Sequence, residues 1–124
     1  MQKSFFRNHK GKKHYLVIIK DTTTFNIRSL EQKLKQGKLS FASEKRLLKY
    51  LGLRPGSVSP FGLINDDTNH VHVFIDHQLQ EAKKISFHPN DNTASVVLEY
   101  SDFIKYLNSS GNTYEYIDPS PKND

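Results

Sequence analysis

Two short polar segments carry residue types that could do chemistry without a cysteine or a metal. Residues 56–60, Gly-Ser-Val-Ser-Pro, are small, so a ligand can approach their backbone closely and successive N–H groups can cradle a carbonyl oxygen or a phosphate. Residues 87–93, Phe-His-Pro-Asn-Asp-Asn-Thr, could bring a histidine, two asparagines and a threonine onto one small polar ligand. An ordinary tight turn and a hydrogen-bonded turn are the structural alternatives for these two segments.

A third candidate is the Gln2-Lys3 pair ahead of the first predicted strand. A lysine there could neutralise a phosphate or orient a reacting group, whereas a plain surface lysine is the alternative. His70 and His72 are two residues apart on a predicted strand and would share a face, but no third ligand stands at a convincing spacing. The chain has no G-x-S-x-G, P-loop or dinucleotide motif. We therefore expect neither a metal nor a cofactor.

Composition narrows the class of protein further. The 124 residues are enough for one domain with a modest core. The absence of cysteine excludes disulfides, a thiolate zinc site and a cysteine nucleophile. No run approaches the roughly 18 apolar residues of a membrane span, so we expect a cytoplasmic protein without a membrane partner.

Charge is distributed unevenly along the chain. Residues 1–54 hold ten lysines and four arginines against three acidic residues, a net charge of +11. Residues 55–124 hold four lysines against ten acidic residues, a net charge of −6. Such polarity favours a polyanion docking on one side of the molecule, although basic residues can also simply solvate surface helices and turns.

Hydrophobic periodicity and capping residues predict an alternating series of strands and helices. The predicted strands are 4–7, 14–20, 39–42, 71–76, 85–88 and 93–100. The predicted helices begin at the caps Asn26, Ser43 and Ser101 and end at Gly37, Gly52 and Gly111. Strand 14–20 is so continuously apolar that both of its faces should be covered, and the apolar loop 53–65 should fold onto the core. We expect an α/β (mixed α+β) single domain over 1–118, with a central mixed β-sheet flanked by helices, and a flexible tail over 119–124.

Four stretches in this order resemble the YbaK/ProX-type aminoacyl-tRNA deacylases, the stand-alone relatives of the editing domain inserted in bacterial prolyl-tRNA synthetase. They are FRNHKGKKHYLVII, LSFASEKRLLKYLGLRPGSVSPFGLIND, ISFHPNDNTASVVL and, more loosely, FIKYLNSSG. The long middle stretch with PGSVSPFGLIND is the most specific. Its details are similar to the enzymes that clear alanine from proline tRNA.

The resemblance implies a trans-editing hydrolase in which water attacks the aminoacyl ester, aided by the substrate's own ribose hydroxyl and without metal. Catalysis would rest on Lys3, Gly56 and His88. Substrate-binding residues implied by the resemblance are Ser57, Val58, Ser59, Pro60, Phe61, Asn92 and Thr93. Backbone donors would face the developing oxyanion, and a small pocket would admit a methyl side chain and block larger ones. The implied partners are the 3′ aminoacyl-adenosine end of tRNA and prolyl-tRNA synthetase, and the protein could be a monomer or a homodimer.

One departure from the family leaves alternatives open. Family members begin further upstream, with a helical segment before the first strand, and their lysine precedes that strand. An ungapped alignment puts Gln2 in its place, whereas a one-residue slip in the hairpin puts Lys3 there. The alternatives to an active enzyme are a non-catalytic tRNA- or synthetase-binding paralogue and a sensor of a free amino acid.

Overall fold

The computed structural model describes residues 2–20, 25–35, 37–56, 58–87 and 96–119. The strands in these ranges are β1 Gln2–Arg7, β2 His14–Ile19, β3 Ser40–Phe41, β4 Val71–Asp76, β5 Lys84–Phe87, β6 Val96–Glu99 and β7 Tyr114–Ile117. The α-helices are α1 Ile27–Leu34, α2 Glu44–Leu51 and α3 Tyr100–Ser110, and 3-10 helices span Pro60–Asn65 and His77–Glu81. None of the helices in the described ranges is long and apolar enough to cross a membrane.

A five-stranded sheet with the order β3-β1-β2-β4-β7 forms the centre of the molecule. β1 runs antiparallel to β2 and β3, whereas β2 and β7 both lie parallel to β4. The predicted central mixed sheet is therefore confirmed. β5 and β6 pair only with each other, as a separate antiparallel hairpin that the sequence patterns did not set apart.

Apolar side chains cover both faces of the sheet. All six residues of β2 are buried, as the continuous apolar run predicts. Leu16 and Ile18 belong to the larger core, which α2, α3 and the first 3-10 helix complete. Val17 and Ile19 point the other way, into a smaller core closed by α1. Alternation along the strand thus assigns each β2 side chain to one of two cores.

Capping side chains begin two of the helices where the sequence places them. The Asn26 side chain accepts a hydrogen bond from the Ser29 N–H, and that of Ser43 accepts one from the Arg46 N–H. Gly52 ends α2 in a left-handed conformation with φ +65°. These local signals fix both ends of α2.

Of the other three predicted helix ends, Gly111 ends α3 as expected and two are shifted. α1 ends before Gly37, because Lys35 already adopts the left-handed conformation and bonds to the Glu31 carbonyl. α3 begins at Tyr100 rather than after a Ser101 cap, and Glu99 occupies the cap position without a side-chain bond. The backbone N–H of Tyr100 donates to Lys83 across the hairpin, so β6 continues directly into the helix.

The end of the chain adds a strand that the patterns did not predict. β7 pairs with β4 and completes the sheet, and its Ile117 is buried. Pro119, which we placed at the start of the tail, is buried, and its carbonyl accepts a hydrogen bond from the Asn26 N–H. Residues 120–124 lie outside the described ranges.

Loop 53–65 packs tightly on the larger core, as its apolar residues predict. Leu53, Pro60 and Leu63 are buried. A Cβ added to Gly62 would lie 2.7 Å from the Leu51 carbonyl oxygen, so only glycine permits this approach to α2. This contact fixes the loop against α2 and so positions the segment that precedes it.

Candidate active site

A cavity of about 220 Å³ opens at the edge of the sheet, between β1, β3, α2 and the start of the loop. Its lining residues are Lys3, Ser4, Phe5, Phe41, Ala42, Glu44, Leu47, Pro55, Gly56 and Val58. Phe5 and Leu47 are buried members of the larger core, so the floor of the cavity is rigid and apolar. Lysine and glutamate side chains supply the polar part of its wall.

Strand register explains why Lys3 rather than Gln2 lines this cavity. Lys3 pairs with Ile18, and strand alternation places it on the same face as Phe5, toward the larger core. Gln2 is exposed and is not among the lining residues. The structure therefore brings Lys3 together with Gly56, while the catalytic role of Lys3 stays a prediction.

Gly56 and Val58 are the residues of the 56–60 segment that line the cavity. Gly56 has φ +85°, a conformation that other residues adopt only with strain. Val58 is half-buried and packs against the larger core. A backbone without a Cβ at position 56 thus faces the same space as the Lys3 side chain.

Three other predicted loop residues lie outside the lining of this cavity. The buried Ser59 hydroxyl accepts the Phe61 N–H at 3.0 Å and caps the 3-10 helix. The Pro60 carbonyl accepts the Tyr106 hydroxyl at 2.8 Å, and the Phe61 ring meets the Tyr106 ring edge-on. These contacts explain the three residues by packing, and their role in substrate binding stays a prediction.

The remaining predicted site residues, Ser57, His88, Asn92 and Thr93, lie outside the described residues. Their contribution to the cavity therefore stays an expectation from the sequence. In the described ranges, no group of three or more His, Asp or Glu side chains stands close enough to hold a metal ion.

The expectation that His70 and His72 share a face is wrong. His70 precedes β4, and its ring stacks on Tyr50 and bonds to His14. His72 lies within the strand and contacts Thr113 and Glu115 instead. Alternation applies only inside the strand, and β4 begins after His70.

Sequence reasoning missed the part of the cavity wall that α2 and β3 provide. Glu44 and Leu47 are three residues apart and so share one side of α2. The exposed Phe41 closes the rim, and its ring stacks on the buried Phe6 with centroids 4.8 Å apart. The Ser43 cap located this helix correctly, but only the tertiary fold shows that it borders the loop.

A buried histidine links α2 to the sheet beside this cavity. Arg46 Nη1 donates to His14 Nε2 at 3.0 Å, and His14 Nδ1 lies 2.8 Å from His70 Nε2. Because a guanidinium only donates, His14 accepts at Nε2 and donates from Nδ1. Burial and then the nearby His70, Arg46, Lys49 and Arg7 lower the pKa of His14 from 6.5 to about 4. His14 is therefore neutral at physiological pH.

The cavity combines an apolar floor, one cation and an uncrowded backbone segment. Such a site can hold a small apolar side chain while polar donors hold an attached ester or phosphate. An apolar floor beside an uncrowded backbone suits the positioning of a bound substrate. The sequence resemblance implied a mixed sheet with helices and a pocket beside residues 56–60; the sheet is present, and this cavity is lined by Gly56.

Comparison with known proteins identifies the family to which this chain belongs. A model of the aminoacyl-tRNA editing domain family matches residues 2–106. The chain is similar to the prolyl-tRNA editing protein ProX of Acetoanaerobium sticklandii, with 46% identity over 92% of this chain and 70% of that protein. It is 30% identical to the prolyl-tRNA synthetase associated domain-containing protein 1 of Bos taurus, over 86% of this chain. It spans only 64% of the length of that cattle protein.

Solved structures agree on the fold. A crystal structure of a proposed trans-editing enzyme for prolyl tRNA synthetase superposes with a TM-score of 0.73 at 16% identity, over 98% of this chain and 69% of that one. The chain belongs to the aminoacyl-tRNA editing domain family. The predicted family and the predicted fold class are thereby confirmed.

Proposed function

We propose that this protein is a trans-editing hydrolase that removes a wrongly attached amino acid from tRNA, with alanine on proline tRNA as its substrate. The family match over residues 2–106 and the 46% identity to a prolyl-tRNA editing protein support the deacylase activity. The observation that carries the proposal is the cavity that unites Lys3 with the Gly56 backbone. The resemblance of the sequence to the family implied both at the reaction centre, with Gln2 as the alternative occupant of the Lys3 position.

In the proposed reaction, water adds to the carbonyl carbon of the aminoacyl ester. This addition forms the new C–O bond and a tetrahedral oxyanion. The oxyanion then collapses as the bond to the ribose oxygen breaks, and the proton released by the water goes to that ribose oxygen. The ribose hydroxyl of the terminal adenosine aids the water, and no metal takes part. Backbone N–H groups of the segment at Gly56 stabilise the oxyanion, and the Lys3 ammonium holds the terminal phosphate or the aminoacyl group.

Selectivity is steric in this proposal. Phe5, Leu47 and Val58 form apolar walls whose positions the core fixes, so the cavity accepts a methyl side chain and excludes bulkier ones. The walls move little because each packs against other core side chains. A pocket of this kind excludes amino acids that are too large to enter it. An editing site that hydrolyses only the small products that fit acts as a second sieve after the synthetase.

The test is a deacylation assay on a panel of tRNAs charged with alanine, serine, cysteine or proline. We expect fastest release of alanine from proline tRNA, at a rate that a metal chelator leaves unchanged. Fast release of the cognate proline, or no acceleration over buffer with any substrate, would contradict the proposal.

A binding module without catalysis is the second candidate. Cations on the opposite side of α2 favour contact with RNA whether or not the cavity is active. A gel shift with uncharged tRNA at low salt, combined with an inactive deacylation assay, would select this alternative. Binding to prolyl-tRNA synthetase, the other expected partner, is tested by the same assay with the synthetase in place of the tRNA.

A further inference from the structure

A second cavity of about 220 Å³ lies against α2 and has a different character. Its lining residues are Ser43, Lys45, Arg46, Lys49 and Tyr50. Three of the five are cations, and in the described part of the chain none of these three forms an ion pair with an acidic side chain. A concave site with an excess of positive charge is suited to an anion.

This cationic cavity and the candidate active site occupy opposite sides of one helix. Glu44 and Leu47 face the candidate active site. At about 100° per residue, Lys45, Arg46 and Lys49 project from the other side of the same two turns. The two cavities approach each other at the start of α2, where Ser43 borders one and Glu44 the other.

The cationic cavity is built on rigid supports. Besides its bond to His14, Arg46 Nη1 donates to the Gly11 carbonyl at 2.8 Å. A Cβ at Gly11 would lie 2.8 Å from Arg46 Nη2, so the β1–β2 turn packs directly on the guanidinium. The Tyr50 ring packs against both His14 and His70, with ring centroids 4.3 and 4.5 Å away. The wall is thus ordered before any ligand arrives, which lowers the entropic cost of binding.

The β1–β2 turn extends the positive surface. Arg46 ties α2 to this turn, which carries the exposed Lys10, Lys12 and Lys13. The positive charges of Arg46, Lys49 and Arg7 act together on the buried His14, since each lowers its pKa. The cations of the β1–β2 turn therefore lie beside those of α2 in the folded chain.

We propose that the cavity formed by Ser43, Lys45, Arg46, Lys49 and Tyr50 binds backbone phosphates of the acceptor stem of the tRNA whose aminoacyl end enters the neighbouring cavity. This inference rests on the proposed function, because it assigns one substrate to both sides of α2. Charge complementarity and the shared helix support it. Lys45 and Lys49 supply exposed charges, and Arg46 supplies a charge that its hydrogen bonds hold in place.

The experiment measures binding of an uncharged RNA hairpin that copies an acceptor stem with a single-stranded CCA end. Affinity is determined from about 50 to 200 mM salt for the full chain, for Lys45→Ala/Lys49→Ala and for Lys83→Ala/Lys84→Ala. The two double variants remove the same net charge, and Lys83 and Lys84 are exposed residues of the β5–β6 hairpin region. Arg46 is left intact because it also holds the β1–β2 turn.

We expect Lys45→Ala/Lys49→Ala to weaken binding on the order of ten- to hundredfold and to flatten the log–log salt slope by about 1.8, since each lost phosphate contact removes about 0.9. The Lys83→Ala/Lys84→Ala control should change affinity less than threefold. Equal effects of the two pairs, or displacement of the RNA by millimolar inorganic phosphate alone, would overturn the proposal.

Deacylation is measured in a separate assay with alanine-charged proline tRNA, up to concentrations that saturate the protein. Lys83→Ala/Lys84→Ala should hydrolyse substrate as fast as the unaltered protein, whereas Lys45→Ala/Lys49→Ala should need on the order of ten- to hundredfold more charged RNA to reach saturation. If the unaltered protein shows no deacylation but the binding difference persists, the proposed function fails and the phosphate site stands. If deacylation occurs without the binding difference, the phosphate site fails alone.

Discussion

The buried His14 predicts how the stability of the fold depends on pH. Its ring is fully buried, stacks on Phe5, packs at a tilt against Tyr50, and forms hydrogen bonds with Arg46 and His70. A proton on Nε2 would replace the acceptor of the Arg46 bond with a second donor. Arg7 from β1 and Lys49 from α2 add further repulsion against a charged ring. Protonation is therefore resisted from every element that packs against this residue.

The size and sign of the effect follow from the pKa difference. The pKa of His14 is about 4 in the folded chain against 6.5 in an unfolded one. Above pH 6.5 the His14 ring is neutral in both the folded and the unfolded state, so the pKa difference does not change the free energy of unfolding there. Between pH 6.5 and 4 only the unfolded state binds the proton, so the free energy of unfolding falls as pH falls. At 1.36 kcal/mol per pH unit the full loss is about 3 kcal/mol.

Urea unfolding from pH 7.5 to 4 measures this loss against a His14→Gln variant. Glutamine offers both a donor and an acceptor but does not titrate, so contributions from the carboxylates cancel in the comparison. We expect the stability gap between the two proteins to shrink by about 3 kcal/mol over this range.

Parallel stability curves for the unaltered protein and His14→Gln would refute the reasoning. If the variant does not fold, an NMR titration of the unaltered protein gives the same answer. The His14 ring signal should then titrate near pH 4. A midpoint near 6.5 would show that the ring is not held neutral by its surroundings.

Three further predictions concern the candidate active site. Lys3→Ala should slow deacylation by about 10- to 150-fold, the worth of one charged hydrogen bond, whereas Gln2→Ala should have little effect; equal rates would remove Lys3 from the mechanism. Gly56→Ala and Gly37→Ala both place a side chain at positive φ, +85° and +80°, and each should cost roughly 1–2 kcal/mol in urea unfolding. Only Gly56→Ala should also cut turnover tenfold or more, and a matching loss in Gly37→Ala would make the effect structural. EDTA should leave the rate unchanged, and a loss restored by zinc would contradict the metal-free reaction.

Most of the sheet could be predicted from the sequence because its strongest signals are local. The run from His14 to Ile19 has no polar face to expose, and only a central strand covered on both sides accommodates it. The caps Asn26 and Ser43 act within a few residues, so they mark α1 and α2 correctly. The strand Tyr114–Ile117 was missed because its identity depends on pairing with β4, which a pattern of four residues cannot show.

The site was only partly predictable for the same reason. Lys3 and Gly56 stand out by residue type and by resemblance to the family, but their proximity arises from the pairing of β1 with β2 and from the packing of the loop on α2. The cation spacing Lys45, Arg46, Lys49 was visible in the sequence as part of a basic half. That these three form a cavity depends on the anchoring of Arg46 by Gly11, 35 residues away.

The position of α2 between two cavities constrains how a substrate can lie on this protein. Eight residues make a helix about 12 Å long, which is short enough for the stem and the single-stranded end of one RNA to contact both sides at once. A path from the cationic side to the Lys3 side passes the capped start of the helix, where Ser43 adjoins Glu44. The Ser43 cap and the bond from Arg46 to His14 hold that corner in place. In this proposal, the amino acid is selected on one side of the helix, and the phosphates of the RNA are held on the other side.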